Sequence, residues 1–175
     1  MRQADPGSHL VLIGGPAGAG KTTLAGAWCA SRPRAAHIQL DHVRSLIVSG
    51  LAHPQGGGPE AGAQYALAVR ACCRLAEVYL DAGYDVAIDD VLEPDTFERI
   101  WRPALADRKF SLLIVLPSLD ATLQRARRRD KRVREDIIRA QHAACARWHE
   151  ELRLDTTGLN VDESLGLAQG KGLLP

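Results

Sequence analysis

A chain of 175 residues with 46 % hydrophobic content is the size of one domain with a real core, and residues 1–175 read as a single domain. Its 22 basic and 21 acidic residues leave a net charge of +1, which argues against a dedicated nucleic-acid or membrane-surface binder. No apolar run reaches membrane-spanning length, Met1 to His9 lacks a signal-peptide core, and the four cysteines form no C-x-x-C pair, so a reducing, cytoplasmic setting is expected.

Leu10 to Ile13 reads as a short buried strand. Gly15-Pro16-Ala17-Gly18-Ala19-Gly20-Lys21-Thr22 follows it and satisfies G-x-x-x-x-G-K-[ST] in full, and Thr22 to Ala30 reads as the next helix. Ala36 to Leu40 is predicted as a second strand, with a short helix around His42 to Ser49. The Gly/Pro-rich stretch from Gly50 to Gly62 reads as a lid or substrate loop, and Glu60 to Asp81 as a long helix stopped by Gly83. Strands are predicted at Tyr84 to Ile88, Phe110 to Leu116 and Leu152 to Leu154. Helices are predicted from Asp95, after Ser118, from Glu135 to Glu151, and behind an Asn160/Glu163 capping box. Strands alternating with helices imply an α/β, three-layer P-loop NTPase fold with a five-stranded, mostly parallel sheet.

The glycine loop is a phosphate-binding element, since glycines let backbone N–H groups close around phosphate oxygens at a helix N-terminus. Gly15, Ala17, Gly18, Ala19, Gly20, Lys21, Thr22 and Thr23 are the expected nucleotide contacts. Lys21 reaches the β- and γ-phosphates and Thr22 holds Mg²⁺. In parallel sheets, functional groups gather beyond the carboxyl ends of the strands, and acidic residues arrive there three times: Asp41, Asp89-Asp90 and Asp155. Asp41 is a candidate base for an acceptor hydroxyl and Arg44 lies one turn further on. The competing readings are a helix cap and a surface arginine. Asp89 and Asp90 end an apolar strand in the manner of a Walker B strand, with Asp89 or Asp90 the expected metal helper and Asp89 the first choice. Adjacent strand residues face opposite ways, so the two carboxylates do not share a role. Arg44, Gln64, Tyr65 and Asp90 are the candidate substrate contacts. Arg125, Arg127, Arg128, Arg129, Lys131, Arg132 and Arg134 form an Arg-rich lid, and Arg125, Arg128, Arg129 and Arg132 share one face at helical spacing. Guanidiniums there would neutralise a transferring phosphoryl group, the alternative being a solvated basic face.

Leu40-Asp41, Val86-Ala87-Ile88-Asp89-Asp90-Val91, Leu154-Asp155-Thr156-Thr157 and the capped Asp162-Glu163-Ser164, taken with the loop, make the chain resemble the small P-loop kinases related to chloramphenicol phosphotransferase. The resemblance covers nearly the whole chain. It implies ATP with Mg²⁺ as donor and phosphorylation of a small-molecule hydroxyl on an antibiotic, nucleoside or sugar-like acceptor, with Asp41 as base and Arg128 and Arg132 as lid arginines. Departures after Arg44 and a more basic lid speak against chloramphenicol itself. No Asn-Lys-x-Asp guanine motif is present, so ATP is expected over GTP. The rival readings are a nucleotide-dependent switch without an acceptor and a kinase of nucleic-acid ends.

Overall fold

Strand β1 (Leu10–Gly14) is buried at every residue and sits at the centre of a five-stranded sheet. The computed structural model describes residues 7–53, 58–106, 108–128 and 133–175. The other strands are β2 (Ala35–Gln39), β3 (Asp85–Asp89), β4 (Ser111–Val115) and β5 (Arg153–Leu154), in the order β2-β3-β1-β4-β5 with every pairing parallel. The helices are α1 (Lys21–Ala30), α2 (Leu40–Arg44), α3 (Pro59–Asp81), α4 (Pro94–Thr96), α5 (Arg102–Leu105), α6 (Leu119–Arg127), α7 (Glu135–Cys145) and α8 (Val161–Gly170).

Strand periodicity sorts the core into two layers. Leu10, Leu12, Val86, Ile88 and Ile114 face α3 and the aromatic rings of Phe97, Trp101 and Trp148. Val11, Ile13, Ala87, Leu113 and Val115 face Leu24, Ala25 and Trp28 of α1 and Ala168 of α8. Right-handed crossovers explain the sorting. Only the β1-to-β2 connection runs toward the β2 edge, so α1 lies on one face, while α3 and the connections after β3 and β4 lie on the other. The chain therefore leaves β1 and β3 in opposite directions and opens a crevice between their carboxyl ends, where ligands bind in such sheets.

Several predicted boundaries move. The helix expected over residues 42–49 is α2, which starts earlier at Leu40 and ends at Arg44. The helix expected to reach Glu151 stops at Cys145, because a turn folds Trp148 inward to donate from Nε1 to Leu92 O at 2.9 Å. The helix expected from Asp95 is interrupted by a π turn, Phe97–Trp101, which places both of its end rings at 0 % exposure. Of the face expected for Arg125, Arg128, Arg129 and Arg132, α6 carries Arg125 and ends at Arg127 with Arg128 as its C-cap, while residues 129–132 lie outside the described part. The caps predicted at Ser118 and Asn160 are present, the latter with both bonds of a capping box.

Candidate active site

Loop geometry explains the glycines. Gly15 has φ 140, and a Cβ there would lie 2.3 Å from Val115 O; Gly18 has φ 87, and its Cβ would lie 2.6 Å from Thr122 O. No other residue type fits either position. Lys21, 8 % exposed, donates from Nζ to Pro16 O at 3.0 Å, so its ammonium lies inside the loop. Thr22 is half-buried and Thr23 exposed at the start of α1. The glycine-rich backbone and the α1 N-terminus fit a nucleotide's phosphates, and Thr22 at the start of α1 is the hydroxyl that could hold Mg²⁺.

The two aspartates that end β3 separate as strand alternation requires. Asp89 turns toward β2, where His37 Nε2 lies 2.9 Å from its Oδ2. Asp90 turns into the crevice. Tyr65 donates its hydroxyl proton to Asp90 Oδ2 at 2.5 Å, and Trp101 Nε1 donates to the Tyr65 oxygen at 2.9 Å. Burial raises the Asp90 carboxyl to about 6; the bonds from Tyr65 and the Val91 N–H and the charge of Lys21 pull it down, and the charge of Asp41 pushes it up. Those causes place Lys21, Asp41 and Asp90 in one electrostatic neighbourhood. Burial, then the neighbouring Asp90 charge, raises the Tyr65 phenol far above its ordinary value, which keeps it a donor.

Asp41 is an exposed residue of the first turn of α2, whose N-cap is Gln39, so Asp41 is not the cap. Arg44 is not a surface residue either. It is 7 % exposed, donates from Nη2 to Ala52 O at 2.8 Å, and has a buried Nε with no hydrogen-bond partner among the described residues. Gln64 is committed to the same loop: it donates to Gly50 O and Glu60 Oε1, both at 2.8 Å, and accepts from Ala52 N–H at 2.9 Å. Arg128 is exposed at the end of α6, and Arg132 lies outside the described residues. The structure thus gathers Lys21, Asp41, Tyr65 and Asp90, sets Arg44 and Gln64 behind α2 as loop clamps, and directs Asp89 to His37. Among the described residues no cluster of three or more His, Cys, Asp or Glu could hold a metal unaided.

Arg125 is the residue that sequence reasoning left in the background. Its guanidinium donates to Ala19 O at 3.2 Å, Thr156 Oγ1 at 3.1 Å and Thr156 O at 2.7 Å, tying the phosphate loop to the turn after β5. Beside it lies a cavity of about 190 Å³ lined by Gly20, Thr23, Arg125, Thr156, Asn160 and Ser164 among others. The available signal was the pairing of a helix arginine with a Thr-Thr step after the last strand.

A parallel sheet in this order with a phosphate loop at its switch point defines the P-loop kinase fold. The chain belongs to the AAA_33 family, described as an AAA domain, whose model matches residues 10–152. It is 27 % identical to a guanylate kinase of Gluconobacter oxydans (strain 621H) over 197 aligned residues, covering 99 % of this chain and 89 % of that protein. Among solved structures it is similar to a sugar kinase from Janibacter sp. HTCC2649, with TM-score 0.71, 16 % identity, and 96 % and 99 % of the two chains covered. It is also similar to the APS kinase CysC of Mycobacterium tuberculosis solved with AMPPNP and APS, with TM-score 0.66, 17 % identity, and 95 % and 98 % covered.

Proposed function

We propose that the protein is an ATP-dependent phosphotransferase that moves the γ-phosphoryl group to a hydroxyl of a small molecule. The observation that carries this reading is the convergence of Lys21, Asp41 and Asp90, from the ends of β1, β2 and β3, beside the phosphate loop. Bound MgATP supplies the phosphoryl group and a metal charge that offsets the charge developing on it. Lys21 and the loop amides grip the phosphates. Asp41, exposed at the crevice, accepts or orients the acceptor hydroxyl proton. Asp90, held by Tyr65, which Trp101 bonds in turn, lies within reach of the charges of Lys21 and Asp41, where a carboxylate would orient either the acceptor or the water around the metal. The work is positioning and electrostatics, because the transition state of phosphoryl transfer is loose. A sugar kinase and a guanylate kinase among its likenesses support sugars, nucleosides and nucleotides as the first acceptors to try.

The test is acceptor-dependent ADP release across a panel of sugars, nucleosides, nucleoside monophosphates and hydroxylated antibiotics. At least one acceptor should raise turnover well above background hydrolysis, with the product phosphorylated on oxygen. Slow hydrolysis that no acceptor stimulates would instead favour a nucleotide-dependent switch. Lys21→Ala should abolish turnover, and wild-type nucleotide handling in that variant would sink the scheme.

A further inference from the structure

The outer corner of the phosphate loop, residues 16–19, is a type II turn. Ala19 N–H donates to Pro16 O at 3.1 Å, Gly18 at the third position has φ 87, and Ala17 is not among the positive-φ residues. The Pro16–Ala17 peptide within this turn is held at both edges. Its carbonyl accepts from Lys21 Nζ at 3.0 Å as well as from Ala19. Its N–H donates to Gln141 Oε1 at 3.0 Å, from α7, 124 residues away in sequence. In a planar trans peptide the N–H and C=O point in opposite directions. Anchoring the N–H on α7 therefore aims the carbonyl back at Lys21. The side chain of Ala17 packs with Leu123 and Ala126 of α6 and Ile138 of α7, and Arg125 of α6 holds the carbonyl of Ala19.

We propose that Gln141 is a positioning residue for the nucleotide phosphates: it fixes the Pro16–Ala17 peptide, and through that peptide's carbonyl it fixes Lys21. Without an acceptor at position 141 the peptide is held at its carbonyl edge alone, by Ala19 N–H and Lys21. The orientation of its oxygen toward Lys21 is then less firmly set, and a part-buried N–H loses its partner. The proposal rests on the loop being an ATP site, and it adds a residue from α7 that touches no phosphate.

The experiment uses the full chain in four variants. Gln141→Leu removes the acceptor at similar size, and Gln141→Glu keeps an acceptor oxygen. Ala17→Pro removes the donor at a turn position that favours proline, and the fourth variant combines Ala17→Pro with Gln141→Leu. In nucleotide-free protein, Ala17 amide exchange should be roughly tenfold faster in Gln141→Leu and return toward wild type in Gln141→Glu. The MgATP dissociation constant should weaken roughly tenfold in Gln141→Leu and in Ala17→Pro, and the double variant should be no weaker than Ala17→Pro alone. Unchanged exchange and affinity in Gln141→Leu, or additive losses in the double variant, would overturn the assignment. Wild-type protein that fails to bind MgATP would count against the proposed function, and the exchange measurement would still decide the role of Gln141.

Discussion

Asp41 and Asp90 are both carboxylates near Lys21, yet their surroundings differ. Asp41 is exposed in the first turn of α2, and the proposed function gives it the acceptor hydroxyl, whereas Asp90 is held by Tyr65, itself bonded by Trp101, and raised to about 6. Asp41→Asn should lower kcat by about 10²-fold or more and leave the MgATP dissociation constant nearly unchanged, as steady-state kinetics beside calorimetric titration would show. Equal turnover in that variant would reduce Asp41 to a residue of the first helical turn. Tyr65→Phe removes a donor to Asp90 and leaves Trp101 Nε1 without its acceptor. The expected costs are about 1–3 kcal/mol of stability in urea denaturation and a further rise of the Asp90 carboxyl. The four cysteines play no such part. They are free, and burial pushes Cys72 and Cys145 up to about 12, so they are poor nucleophiles at neutral pH.

At the scale of elements, α1 and the loop that precedes it treat glycine in opposite ways. Gly15 and Gly18, in the loop that feeds α1, sit at positive φ with backbone oxygens where a Cβ would go. Alanine at either position should abolish nucleotide binding or folding. Gly26 lies inside the helix with nothing within 4 Å of a built Cβ, so Gly26→Ala should stabilise the protein by about 0.5–1 kcal/mol in chemical denaturation. The π turn shows the same coupling of local geometry to the site. Its widened register buries Phe97 and Trp101 together, and Trp101 then reaches Tyr65. Element boundaries were legible where a local signal exists, as at Ser118 and Asn160, whose side chains bond their own helices. They were misread where distant packing decides. Nothing near Cys145 announces a helix end, because the cause is Trp148 seeking Leu92 O, 56 residues away.

For the whole molecule, the partly buried carboxyl of Asp90 makes stability depend on pH in a direction opposite to the usual acid denaturation. Asp90 has its folded pKa raised from 3.8 to about 6. Its favourable contribution is therefore complete below pH 4 and fades as pH rises through about 6, where the folded state is forced to hold the ion. Asp90→Asn should lose this slope, so that the gap in unfolding free energy between variant and wild type shifts in the variant's favour between pH 4 and 7. A gap that does not change with pH would overturn this account. Asp155, lowered by its bonds from Thr157, contributes with the opposite sign, and its stabilisation is lost as pH falls.

Features that rest on neighbours along the chain were readable from the residues alone. The phosphate loop, the strand-then-helix alternation and the acidic residues at the ends of β2 and β3 are contiguous patterns, and each reports its own local geometry. The direction and partner of each side chain came from the packing of the folded chain. Asp90 rather than Asp89 faces Lys21 and Asp41 because the pleat turns adjacent residues apart. Arg44 and Gln64 are spent on Gly50 and Ala52 because the loop after α2 folds back over them. Arg125 and Gln141 meet the phosphate loop across 106 and 124 residues of sequence, a proximity set by where α6 and α7 cross the sheet. Periodicity carries no record of such a meeting, since it follows from packing the whole chain rather than from any segment of it.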